Sequence, residues 1–153
     1  MRRGGMADTP TITAVRRFLS LIGDGEPPSD ESLAEALDEL ALAYHRAPEG
    51  EPTDDDRDPP EWNFTARAAA LGERFPDLGI YAVSDPSEAI NEKAMCGHAI
   101  DDLTDIERDL TEVLWRFENL GADDAHWHFK LLYRCHWGRH LRELALYLHA
   151  KTW

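Results

Sequence analysis

The sequence predicts an all-α fold, a single-domain helical bundle of about five helices. Three observations carry that prediction. Apolar residues recur at steps of three and four through almost every regular stretch. Residues that cap helix starts stand before those stretches, and glycine or proline stands after them. One short run, Leu78 to Val83, has strand character but no evident partner, so it is expected as an extended buried connector. With 153 residues, 42% of them hydrophobic, and five Trp, five Phe and four Tyr, the chain has the material for one substantial core.

Residues 1–8 are expected as a flexible N-terminus, with Met6 a second candidate initiator, and 9–153 as one domain. Thr9-Pro10 opens the first helix, Thr9 as N-cap and Pro10 at the first helical position. Ile12, Val15, Phe18, Leu19 and Ile22 form its apolar stripe, and Gly23 stops it. Ser29 caps the second helix, where Leu33, Leu37, Leu40 and Tyr44 share a face, and Pro48 ends it. Residues 49–60 hold no apolar side chain and cannot offset their own ordering entropy, so they are expected as an acidic mobile loop. Asp54-Asp55-Asp56 within it lacks the glycine turn and closing Glu of a calcium loop and reads as solvated. A third helix spans Asn63 to Phe75, with Phe64, Ala68, Leu71 and Phe75 on one side and Pro76 after it. Asp85-Pro86-Ser87-Glu88 has the form of a capping box, predicting a fourth helical stretch to Leu120 with a break near Cys96-Gly97 and Gly121 as its stop. Asp123 or Asp124 caps the last helix, which runs nearly to Trp153.

The formal charge of −14 is uneven. From Asp24 to Pro60 thirteen acids face two arginines; from His126 to Trp153 one acid, Glu143, faces five Lys or Arg, and five of the seven histidines lie there. Such an acidic chain repels nucleic acid. No run reaches the roughly twenty apolar residues of a membrane span, and no apolar core follows the basic tip Arg2-Arg3, so neither a membrane partner nor a signal peptide is expected. Cys96 and Cys135 match no zinc knuckle or disulfide framework and read as buried free thiols in the cytoplasm. A protein partner or a second copy of the chain is the class of partner left open.

The chemistry concentrates in His136-Trp137-Gly138-Arg139-His140. Histidines four apart share a helix face. Stepping at about 100° per residue from His136 places His140 at about 40°, inside the arc of Phe129, Tyr133, Leu144 and Leu148, so both are expected to face inward. Trp137 reads as core, and Gly138 as a site of close helix crossing. On the fourth helix, Ile106, Leu110, Val113 and Phe117 form a core arc, edged by a polar stripe of His98, Asp102, Asp105 and Asp109. Asp101, Glu107 and Arg108 point elsewhere and are expected at the surface.

If these two helices are antiparallel neighbours, the stripe meets His136 and His140. Buried imidazoles and carboxylates need partners, and two arrangements supply them. One is a closed His/Asp hydrogen-bond network, the mark of a small accessory or interaction protein. The other is a divalent transition metal, Zn²⁺, Fe²⁺ or Mn²⁺, held by His136, His140, Asp102 and Asp105, with Asp109 and His98 as weaker candidates; such a site suits a metal-binding protein or a metal-dependent hydrolase. A third reading pairs Glu35, Asp38 and Glu39 of the second helix with Asp102 and Asp105 around Mg²⁺. That arrangement resembles the all-α nucleoside triphosphate pyrophosphatases, although the glutamates of that family's motif are largely aspartates here and no phosphate-binding basic residues are evident. The zincin motif, the P-loop, the dinucleotide turn and the nucleophile elbow are absent from the sequence.

Ile100-Asp-Asp-Leu-Thr-Asp-Ile-Glu-Arg-Asp-Leu110, His136-Trp-Gly-Arg-His140 and Ala145-Leu-Tyr-Leu-His149, with Tyr81 ahead of Asp85-Pro86, resemble the bacterial family known as domain of unknown function 5063. The resemblance covers residues 75–150 well and the first half in outline, where the acidic loop departs from the family's shorter connection. It implies a helical fold and supplies no mechanism.

Overall fold

A computed structural model describes residues 6–90 and 94–153. Of the expected flexible N-terminus, residues 1–5 lie outside the described residues, as do 91–93 of the expected fourth helical stretch. The elements run α1 (Pro10–Gly23), α2 (Asp30–Arg46), α3 (Phe64–Arg74), β1 (Ile80–Val83), β2 (Met95–His98), α4 (Ala99–Leu120), α5 (Ala122–Leu132), a π turn (Tyr133–Trp137) and α6 (Gly138–Thr152). The fold is the helical bundle expected.

Three helix starts are capped by side chains, Thr9 and Ser29 as the sequence indicates and Asn63 in addition. Thr9 Oγ1 accepts from the Ile12 amide at 3.3 Å, Ser29 Oγ from Ser32 at 3.1 Å and Asn63 Oδ1 from Ala66 at 3.0 Å. Each satisfies one amide that its helix leaves free. The core centres on α4, which packs against α1, α3, α5 and α6. Its Leu103, Ile106, Leu110 and Val113 are fully buried, among Ile12, Val15, Leu37, Leu71, Phe129 and Trp137. No described helix is long and apolar enough to cross a membrane.

The structure corrects the sequence at several places. Leu78–Val83 is no lone connector: β1 pairs antiparallel with β2, Tyr81 opposite Gly97 and Ile80 opposite His98, and Ile80 is exposed. Met95-Cys96-Gly97-His98 holds no β-branched residue, so β2 carries no strand signal. Asp85 caps no helix; its carboxylate accepts from the Ser87 amide and hydroxyl in a local turn, and α4 begins only at Ala99. Glu107 is buried rather than at the surface, held by Arg67 of α3 through paired bonds of 2.6 and 2.8 Å. Both cysteines are exposed, not buried.

The 49–60 segment is irregular but attached. Glu49 bonds Lys130 and Arg134 at 3.1 Å each, the Glu51 amide donates to the Asp123 carbonyl, and the Thr53 amide and hydroxyl donate to Asp124. The basic C-terminal helices thus receive part of the acidic half's charge.

Candidate metal centre

The last helical run is not regular. Between α5 and α6 the backbone makes one π turn, Tyr133–Trp137, with His136 in it and His140 just beyond. A π turn inserts a residue and rotates everything after it relative to a regular helix, so a wheel of constant step does not hold across it. Hence both histidines sit at the edge of the core rather than within it: 36% of the His136 side chain and 27% of the His140 side chain is exposed.

Gly138 permits this turn rather than a helix crossing. A Cβ there would stand 2.5 Å from the Tyr133 carbonyl oxygen and 2.9 Å from the Tyr133 ring. Tyr133 is itself fixed, stacked on Tyr44 at 3.7 Å and edge-on to Trp137 at 4.9 Å. Gly138→Ala is therefore expected to cost about 1–3 kcal/mol through overpacking. At about 2–4 °C per kcal/mol, thermal melting should show a Tm lower by roughly 2–12 °C.

Across from the histidines, α4 presents its aspartates. His136 Nδ1 lies 2.6 Å from Asp109 Oδ2, and His140 Nδ1 lies 2.7 Å from Asp102 Oδ1. Both carboxyls are buried, and when ionised each only accepts, so in that state each imidazole donates from Nδ1. The two Nε2 atoms then turn to a third carboxylate, Asp105: His140 Nε2 stands 3.3 Å from Oδ2 and His136 Nε2 3.6 Å from Oδ1. The imidazole rings meet edge to face, centroids 4.9 Å apart. Asp105 receives no side-chain hydrogen bond among the described residues.

Asp102 has a further support. The Tyr81 hydroxyl donates a short hydrogen bond to its Oδ2. The hairpin holds that ring in place: a Cβ on Gly97, directly opposite, would stand 2.6 Å from it, so glycine is required there. Tyr81 also stacks on Tyr147 at 4.8 Å, and the Tyr147 hydroxyl accepts from the Gly79 amide. Sequence reasoning linked Tyr81 to the site only through the family resemblance; its direct role needed the strand pairing.

Burial pushes the Asp102 and Asp109 carboxyls up, against the pull of their histidine hydrogen bonds. The Asp102 bond in turn raises His140, and burial with the Asp102 bond raises the Tyr81 hydroxyl. No Lys or Arg among the described residues bonds Asp102, Asp105 or Asp109. Three carboxylates therefore gather around two imidazoles with no fixed cation.

Of the predicted site residues, the structure brings together His136, His140, Asp102, Asp105 and Asp109. Asp102 and Asp109 support the histidines; Asp105 is the carboxylate left to bind. Trp137, Ile106 and Leu110 are core, as expected. His98 is a correction: it ends β2, exposed, before the helix that was to carry it. Glu35, Asp38 and Glu39 lie exposed on α2, and none belongs to the His/carboxylate groupings around Asp102 and Asp105. Glu143, not singled out from sequence, has a carboxylate oxygen within 4.8 Å of ligand atoms of His140 and Asp102.

No protein-family model matches this chain, and no curated protein sequence does. Among solved structures it is similar to protein BF1032 from Bacteroides fragilis, at a TM-score of 0.69 and 17% identity, over 94% of this chain and 90% of that one. At that identity the similarity bears on the fold alone.

Proposed function

We propose that this chain is a divalent-metal protein in which His136 Nε2, His140 Nε2 and one Asp105 oxygen hold Zn²⁺, Fe²⁺ or Mn²⁺. One observation carries the reading: the Nδ1 atoms of both histidines lie against the buried Asp109 and Asp102, which leaves both Nε2 atoms facing Asp105. His140 Nε2 lies 3.3 Å from Asp105 Oδ2 and His136 Nε2 3.6 Å from Oδ1, and one ligand atom from each of the three residues lies within 4.8 Å of the other two, close enough to converge on one ion with bonds near about 2 Å after a small rotation of the carboxylate. A carboxylate behind each ligating histidine is the usual support of such ions. Two histidines and one carboxylate leave coordination positions open, the donor set of catalytic rather than structural sites. The partial exposure of His136 admits water, and an ion there would lower that water's pKa for hydrolytic attack. Tyr81, Asp102, Asp105, His136 and His140 are among the residues on which membership in domain of unknown function 5063 is proposed, a membership that supplies no mechanism. Two free cysteines accord with residence in the cytoplasm.

A second reading keeps one specific support. The His136–Asp109 and His140–Asp102 bonds, 2.6 and 2.7 Å, tie the π turn and α6 to α4 without any ion, as a structural lock in an accessory protein would. Elemental analysis of protein purified without chelator or affinity tag separates the two. About one equivalent of metal is expected in the wild type and none in His136→Ala/His140→Ala. No metal in the wild type, with strong destabilisation of the double variant, would leave the lock.

Tyr81→Phe supplies a graded test. It frees Asp102 to rotate away from His140 without touching a ligand. Outer supports of this kind carry about 10–100-fold in metal affinity, and a third-layer hydroxyl is expected near the lower end in a zinc titration.

A further inference from the structure

A cavity of about 970 Å³ opens on the flank of α6, under β1 and the turn after it. It is in the size range of small-molecule sites. Val83, Pro86, Leu146 and Ala150 supply apolar lining, and Leu146 is 68% exposed, unusual for so large an apolar side chain with no covering element.

Its charges are mostly spent. Arg139 lies between Glu143 at 2.8 Å and Asp85 at 3.2 Å. Arg134 is held by Glu49 and the Tyr44 hydroxyl. Arg142 alone among the lining cations has no carboxylate partner among the described residues; one of its amino groups donates to the Tyr133 hydroxyl at 3.1 Å. That bond aims the guanidinium along the cavity wall and leaves its other donors free. In a chain of net charge −14, a cation left uncompensated beside an exposed leucine is a specific pairing.

We propose that this cavity binds a small amphiphilic anion, an apolar body against Leu146 carrying one carboxylate or phosphate group on Arg142. A guanidinium recognises either group through paired donors. The proposal does not depend on a bound metal, although Tyr81 and Glu143 belong both to the cavity wall and to the surroundings of His140.

The test is heteronuclear NMR titration of metal-free wild-type protein with octanoate, octyl phosphate and octanol. The two anions are expected to shift the Leu146 methyls and the Arg142 side chain, each binding about tenfold or more tightly than octanol, the scale of one charge-assisted contact. The tighter anion identifies the headgroup class. Arg142→Gln should bring the anions down to the affinity of octanol, and Leu146→Asp should abolish all three. Both positions are exposed, so the variants keep the fold, which their spectra will verify. Equal binding of octanoate and octanol, anion binding unchanged in Arg142→Gln, or shifts confined to other surfaces would overturn the proposal. Metal content plays no part in these readouts, so failure here leaves the metal centre standing, and the reverse.

Discussion

Asp105→Asn is expected to remove metal binding while leaving the metal-free fold at least as stable as the wild type. The side chain is 18% exposed, sits 3.3 and 3.6 Å from two imidazole nitrogens, and accepts no hydrogen bond from a described side chain. It stands three residues after Asp102 and four before Asp109 on α4, a spacing at which like charges repel, and no Lys or Arg among the described residues bonds any of the three. Neutralising it relieves that repulsion and removes the one anionic ligand. The loss of affinity should exceed the roughly 10–100-fold that a supporting residue carries, read by zinc titration, with the metal-free Tm read alongside. A structural lock predicts the opposite pattern. There, Asp105 would hold a protonated histidine, and its loss would lower the metal-free stability, by about 1 kcal/mol for a partly exposed pair.

Trp137→Ala is expected to have the largest effect on stability. Trp137 is fully buried, 5.1 Å from the Phe129 ring and 4.9 Å from the Tyr133 ring, and its Nε1 donates to the Phe129 carbonyl at 3.3 Å. That carbonyl lies just ahead of the π turn, so the indole both fills the core and ties α5 to the start of α6. Truncation should cost about 3–5 kcal/mol, a Tm lower by roughly 6–20 °C at this chain length. Loss of metal affinity should accompany it, because His136 is the neighbouring residue in the turn.

Much of the fold and part of the site were legible in the sequence. The caps Thr9 and Ser29 act over one turn and depend on nothing distant. The α4 stripe of Asp102, Asp105 and Asp109 was placed on the correct edge because α4 is a regular helix throughout. Where a feature depended on distant pairing, the sequence fell short. β2 has no strand composition, so the partner of β1, and with it the hydrogen bond of Tyr81 to Asp102, needed the folded chain. Asp85 has the residues of a capping box, yet β pairing claims the chain beyond it. Glu107 is charged and was placed at the surface, but Arg67 on another helix permits its burial. The π turn is the most instructive case. Nothing in Tyr133-Arg-Cys-His-Trp137 marks an extra residue per turn, so the wheel put both histidines in the core, whereas the turn delivers them to its rim, where an ion and water can reach them.

The division of roles among the aspartates also depended on geometry. Spacing alone made Asp102 and Asp105 equivalent ligands. Only the Nδ1 contacts separate Asp102 and Asp109, which hold the histidines, from Asp105, which faces their Nε2 atoms.

The most direct test is an anomalous difference map, at the absorption edge of the metal present, from crystals of chelator-stripped protein reloaded with zinc. A single peak about 2 Å from His136 Nε2, His140 Nε2 and an Asp105 oxygen is the predicted result. An absence of density there, with Asp105 in direct hydrogen bonds to both imidazoles, would contradict the metal centre and leave a His/Asp lock in its place.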